Sequence, residues 1–216
     1  DTVGETLSSI TISDVPSGAT LSAGTNNGNG TWTLTPAQLQ GLTISPPANS
    51  DADFSLTVAV TSTEAGGGSA TTTAAFNVTV TAVADKPTVT VAPVAGNEDT
   101  PIGLSISTAL TDTDGSESIS AITISGVPSG ATLSAGTNNG NGTWTLTPAQ
   151  LTNLTITPPA NSDADFTLQV TATSTEAAGG SATSNVASLS VTVNGVADTP
   201  TITVQAASGN EDTAIS

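Results

Sequence analysis

The sequence has no cysteine, no methionine, no tyrosine and no histidine, and its only basic residue among 216 is Lys86. Each absence closes a route. Without cysteine, no disulfide staples the fold. The intramolecular Lys–Asn cross-links that some bacterial surface domains use would need a lysine in each domain, and there is one. Without histidine, cysteine or tyrosine, and with no lysine free to activate a serine, acid–base and nucleophilic catalysis have little to work with. A carboxylate pair could hydrolyse glycosides, but the acids lie in turns and linkers beside no evident pocket, so the chain is expected not to be an enzyme. Aspartate and glutamate number 18, for a formal net charge of -17, and such a chain is repelled by nucleic acid and by anionic membranes. No apolar run approaches the ~20 residues of a membrane span, so direct membrane insertion is not expected. There is no signal-peptide pattern, and a start at Asp1 reads as a piece excised from a longer chain.

What the chain does have is repetition. Val15–Leu39 (VPSGATLSAGTNNGNGTWTLTPAQL) recurs letter for letter at Val127–Leu151, an offset of 112 residues, and Asn97-Glu98-Asp99-Thr100 recurs at Asn210-Glu211-Asp212-Thr213, an offset of 113. One residue is therefore gained between the two, which the sequence places in the loop after Glu176. Near-identity at this period marks a duplicated array. The expected division is a first repeat at 1–84 that lacks its opening strands, a complete second repeat at 85–197, and the opening strand of a third at 198–216.

Within a repeat, apolar residues alternate with threonine and serine: Val89/Val91, Ile122/Ile124, Phe166/Leu168/Val170 and Leu189/Val191/Val193. Period two with β-branched filling predicts half-buried strands. Breakers such as Val-Pro-Ser-Gly, Pro-Pro-Ala-Asn and Asn138-Asn139-Gly140-Asn141-Gly142 separate them, and the last predicts a tight hairpin between strands at 133–136 and 143–147. Thr147-Pro148-Ala149-Gln150 predicts one helical turn, capped by threonine with proline first. Seven or eight short strands in about 110 residues predict an all-β fold of tandem Greek-key, immunoglobulin- or cadherin-like sandwiches. Trp32 and Trp144, in Thr-Trp-Thr-Leu-Thr, are expected to be core aromatics and not sugar platforms. The Asn-Gly-Thr sequons at 29–31 and 141–143 are better explained by the hairpin.

The acids gather around the boundary between repeats. Asp51, Asp53 and Glu64 belong to the first repeat, Asp85 lies in the linker, and Glu98, Asp99, Asp112, Asp114 and Glu117 open the second. Asp163, Asp165, Glu176, Asp198, Glu211 and Asp212 are their counterparts one repeat later. Two carboxylates 4 Å apart repel by about 4 kcal/mol at an effective dielectric near 20. One lysine cannot relieve that, whereas a divalent cation can, so these residues are candidate ligands of a divalent cation; an acidic, solvated surface that binds no metal is the alternative. Asp112-Thr-Asp114-Gly-Ser-Glu117 is not an EF-hand, which needs Gly at position six and Glu at twelve, where Glu117 and Thr123 stand. The Gly-rich loops at 66–68 and 179–180 lack the lysine and helix of a phosphate site.

In order along the repeat, Val83-Ala84-Asp85-Lys86-Pro87, the early Glu98, Asp112-Thr-Asp114-Gly115 and Asp51-Ala-Asp53-Phe54-Ser-Leu-Thr-Val resemble the linker, early glutamate, Asp-x-Asp-x-Gly and acid-before-strand motifs of cadherins and bacterial cadherin-like repeats. The linker is shortened from the family's Asp-x-Asn-Asp-Asn-x-Pro, and the glycine comes one place early. The resemblance implies calcium bound between successive domains, where it stiffens the joint. Threonine-rich, lysine-poor, near-identical repeats also resemble the extender regions of giant type I-secreted (RTX-type) bacterial adhesins, which hold a binding tip away from the cell, although the glycine-aspartate nonapeptide of calcium β-rolls is absent. The resemblance implies an extracellular, cell-surface stalk whose partners are its neighbouring repeats and calcium. The alternative is an adhesin module that binds glycan, ice or another cell. Strand-mediated self-association of the truncated first repeat is a further expectation.

Overall fold

The structure, a computed structural model, describes residues 4–215. Its regular elements are all β apart from two single 3-10 turns, Pro36–Leu39 and Pro148–Leu151. At the second of these, Thr147 stands at the N-cap with Pro148 first in the turn, as the sequence predicts; the Gln150 amide donates to the Thr147 carbonyl (3.0 Å) to close the turn, and the Thr147 amide donates to Gln150 Oε1 (2.8 Å).

In the second repeat one sheet runs in the order Thr137–Gly140, Thr143–Leu146, Glu117–Ser125, Phe166–Glu176, Ala187–Asn194, Val94–Asn97, and the last strand joins in parallel. Two small sheets pack over its inner face: Ile102–Gly103 with Thr155–Thr157 and Thr132–Leu133, and Thr88–Ala92 with Ser105–Ala109. The alternation read from the sequence is the alternation of burial. Leu168, Val170 and Ala172 of Phe166–Glu176 all point inward and are fully buried, while the residues between them are not. Both tryptophans are buried in the cores of their own repeats.

The first repeat has the same main sheet, in the order Thr25–Gly28, Thr31–Leu34, Glu5–Ser13, Phe54–Glu64, Ser69–Val78. Among the described residues, only the two-residue strands Thr20–Leu21 and Ile44–Ser45 lie opposite it. The consequence is a smaller core, with eight buried apolar residues against sixteen in the second repeat. Burial of apolar area is the main favourable term in folding, at about 25 cal/mol per Å². The first repeat should therefore melt at the lower temperature. Fluorescence-detected melting of Trp32→Phe and Trp144→Phe, each of which leaves one reporter, should give two separate transitions; coincident transitions would contradict the prediction.

Three details differ from the sequence reading. The hairpin pairs Thr137–Gly140 with Thr143–Leu146, and Thr132–Leu133 belongs to the opposite layer. Gly136, at φ +97 with Leu146 against it, turns the chain between layers after residue 135. The extra residue of the second repeat does not lie in the loop after Glu176. Thr175 pairs with Ser181 as Thr63 pairs with Ser69, and the insertion is a bulge at 184–186 that divides Ser181–Thr183 from Ala187–Asn194. Finally, residues 198–215 form no strand. Their counterparts Thr88–Ala92 and Val94–Asn97 are held by Ser105–Ala109 and Ala187–Asn194, and no such partner stands beside 201–210 among the described residues.

Candidate metal centre

Glu117 begins one long strand of the second repeat and Glu176 ends its neighbour, and the two are direct cross-strand partners. Partners in register place their side chains on one face about 5 Å apart at Cβ. Here that face is the inner one: Glu117 is 6% exposed, Glu176 3%, and Asp112 4%. Three carboxylates are thus buried at the end of the repeat that meets the first.

The loop between Asp112 and Glu117 folds on its own acids. The Asp114 amide donates to Asp112 Oδ1 (2.9 Å), and the Ser116 amide and hydroxyl both donate to Asp114 Oδ1 (2.9 and 2.6 Å). The linker is tied to the same place. The Asp85 amide donates to Glu117 Oε1 (2.6 Å), the Ser174 hydroxyl donates to the Asp85 carbonyl (2.6 Å), and the Thr111 hydroxyl donates to the Lys86 carbonyl (2.6 Å). The first repeat reaches across with the Asp51 amide to Asp114 Oδ2 (3.3 Å) and Asn49 Nδ2 to the Thr111 carbonyl (3.2 Å). A cleft of about 210 Å³ remains between the repeats, with Asp51, Asp85, Asp112 and Glu176 on its walls.

This arrangement satisfies some oxygens and leaves others bare. Glu117 Oε2 and Glu176 Oε2 are buried without any hydrogen-bond donor. Burial pushes the Glu176 carboxyl above its ordinary value, helped by the charges of Glu117, Asp112 and Asp51 and opposed by the Ser116 hydroxyl. Asp114 moves the other way, lowered to about 2 chiefly by the two Ser116 donors. Among the described residues no three carboxylates already stand together in ligating geometry. The donors nonetheless suit a hard cation, being oxygen throughout, with buried charge that no side-chain cation offsets.

The acids singled out in the sequence separate into two poles. Phe54–Glu64 is 11 residues long, so Glu64 lies about 33 Å from the Asp53 end, beside Glu5 and away from the joint. Glu98 is also absent from the joint. Its strand runs parallel to Ala187–Asn194, which carries it to the far end of the second repeat, where Glu98 Oε1 accepts from the Val196 amide (2.7 Å). Asp163 and Asp165 stand at that pole too, and Asp99 Oδ1 accepts from the Asn161 amide (2.9 Å). Asp53 and Asp165 each spend one oxygen on a strand-end amide, that of Val80 or Val193 (both 2.8 Å). Asp198, Glu211 and Asp212 lie in the exposed tail. The joint thus gathers Asp51, Asp85, Asp112, Asp114, Glu117 and Glu176. Ser116 and Ser174, which position these groups, were missed because serine is common throughout the chain and nothing in its spacing distinguishes them.

The larger clefts, about 600 and 570 Å³, lie beside Trp32 and Trp144. Their indoles face the core, and Asp14 is the one acid lining either, so the charged chemistry lies at the joint. No protein-family model matches the chain, and no curated protein matches it.

Proposed function

We propose that the chain is a run of structural extender repeats from a bacterial cell-surface adhesin, stiffened by calcium held where one repeat meets the next. The observation that supports this is the pair of buried, donor-less oxygens Glu117 Oε2 and Glu176 Oε2, carried by cross-strand partners at the junction. Orphaned buried charge is costly unless something compensates it. Asp51, Asp85, Asp112, Asp114, Glu117 and Glu176 are the groups that would hold the ion. Glu98, Asp99, Asp163, Asp165 and Asp198 form the matching half of the following joint. The bound cation would neutralise the mutual repulsion and tie both repeats and the linker to one point. Each repeat touches only its neighbours, so length grows by duplication and stiffness resides in the joints.

Small-angle scattering of the intact chain with calcium and with chelator tests this. Calcium should sharpen the distribution of distances between the repeats, chelation should broaden it, and Asp114→Asn should loosen the calcium-bound form in part. Identical profiles in every condition would leave an acidic stalk without a calcium joint.

A further inference from the structure

We propose that Ser174 is a positioning residue that clamps the linker onto the second repeat, so that the joint between the repeats flexes only over residues 81–84. The inner face of Phe166–Glu176 carries Leu168, Val170, Ala172, Ser174 and Glu176, and Ser174 is as fully buried as its apolar neighbours. A buried hydroxyl costs free energy unless it is hydrogen-bonded. The short bond it makes is to the linker: its Oγ donates to the Asp85 carbonyl at 2.6 Å, with a longer contact to the Ala182 carbonyl at 3.4 Å. Alanine would fill this place in the core as it does at 172, so it is the linker that gives the hydroxyl its role.

Ser174 does not act alone. On the neighbouring strand, Glu117 Oε1 accepts from the Asp85 amide (2.6 Å), a charge-assisted bond. Both backbone groups of Asp85 are thus taken by adjacent strands of one sheet, the amide by Glu117 and the carbonyl by Ser174. The Thr111 hydroxyl holds the Lys86 carbonyl (2.6 Å), Pro87 is buried, and Thr88–Ala92 pairs with Ser105–Ala109. From Asp85 onward the chain is therefore part of the second repeat. The first repeat lets go shortly before. Ser69–Val78 is paired as far as Val78 opposite Phe54, and the Val80 amide donates to Asp53 Oδ1 (2.8 Å).

Residues 81–84 lie between these two anchors. Among the described residues, no hydrogen bond fastens them to either repeat. Thr81 and Val83 are exposed, Ala82 and Ala84 are half-buried, and the first three line the cleft that Asp51, Asp112 and Glu176 also line. Four extended residues span about 14 Å at most, and none of these is glycine, so the hinge is short and restricted. Releasing Asp85 and Lys86 would lengthen it from four residues to six. The clamp therefore sets the length of the hinge. None of this rests on a bound ion, because the Asp85 amide occupies Glu117 Oε1 and leaves Oε2 bare.

The test is residue-resolved amide hydrogen exchange of the whole chain, in chelator so that no outcome depends on the calcium joint. Relative to intrinsic rates, the Asp85 amide of the wild type should exchange at least about tenfold more slowly than those of residues 81–84. The double variant Ser174→Ala/Thr111→Val removes both hydroxyl donors to the linker, and neither new side chain is larger than the old. It should speed exchange at Asp85 about tenfold, as expected when a buried carbonyl loses its donor. Small-angle scattering of the double variant in chelator should show a broader distribution of distances between the repeats. The amides of Glu117–Ser125 and Phe166–Glu176 should stay as slow as in the wild type. Ser120→Ala removes an exposed hydroxyl-to-carbonyl bond between the same two strands (3.1 Å) and should change neither Asp85 nor the distances. A wild-type Asp85 amide as fast as those of residues 81–84 overturns the proposal. So does a double variant that leaves Asp85 or the distances unchanged, or that loosens the two strands themselves, and so does an equal effect from Ser120→Ala.

Discussion

Calcium at about 100 times its dissociation constant is expected to raise the melting temperature of the second repeat by about 10 °C or more, and Glu176→Gln is expected to remove most of that gain. A ligand at that concentration that binds only the folded state adds about 2.7 kcal/mol per site. In a domain of this size each kcal/mol moves the midpoint by roughly 4–8 °C. Without calcium the substitution should act in the opposite direction and stabilise the repeat at neutral pH, because it removes a desolvated charge set against Glu117. The pH dependence follows from the sign of the shift. Burial and then the neighbouring acids raise the Glu176 carboxyl from 4.5, so its stabilising contribution is present below that value. It is lost as pH rises through the raised folded-state value. Asp114, lowered from 3.8 to about 2, contributes above 3.8 and loses its contribution as pH falls toward 2. In chelator the wild type should thus lose stability as pH rises above the ordinary carboxyl range, and calcium should reverse that loss. Differential scanning calorimetry of wild type and variant, with and without calcium, reads all four cases. An equal calcium shift in both proteins would remove Glu176 from the site.

The fold was more legible than the site, for a physical reason. Alternation reports which face of a strand is buried, and Leu168, Val170 and Ala172 all lie where that rule places them. It says nothing about which end of a strand an acid occupies in space. Asp53 and Glu64 are close in sequence and lie at opposite ends of one long strand. Glu98 follows the linker closely, yet its strand pairs in parallel with Ala187–Asn194, a partner nearly a hundred residues away. Parallel pairing leaves no local mark, so the sequence grouped Glu98 with Asp112 and the structure separates them. The pairing of Glu117 with Glu176 was equally hidden, because it depends on a register that passes through a bulge between Ile119 and Ala121. The repeat offset was the stronger signal, since it predicts that whatever assembles at one joint assembles again at the next.

The hairpin glycines show the same limit, and they carry the second large effect. Gly142→Ala is expected to cost about 2–4 kcal/mol, whereas Gly140→Ala, two residues away in the same turn, costs about 1. Both glycines have positive φ, +86 at Gly140 and +70 at Gly142, and asparagine-glycine steps announce that much from sequence. They differ in what a methyl group would meet. A Cβ at Gly140 has nothing within 4 Å, whereas one at Gly142 would sit 2.5 Å from the Val127 carbonyl oxygen. That obstacle is backbone and cannot swing aside. It is also held in place, because the Val127 amide donates to the Gly142 carbonyl (3.1 Å) and Val127 is buried in the core. Relief therefore requires the hairpin to lift away from the 127 segment, which breaks this bond and loosens the packing of Trp144. The first repeat has the same contact between Gly30 and Val15, at 2.8 Å, so Gly30→Ala should behave alike there and Gly28→Ala should again be mild. Urea denaturation followed by tryptophan fluorescence measures each pair. Equal losses at Gly140 and Gly142 would mean that turn conformation alone, and not the approach to the Val127 carbonyl, selects glycine at the second position.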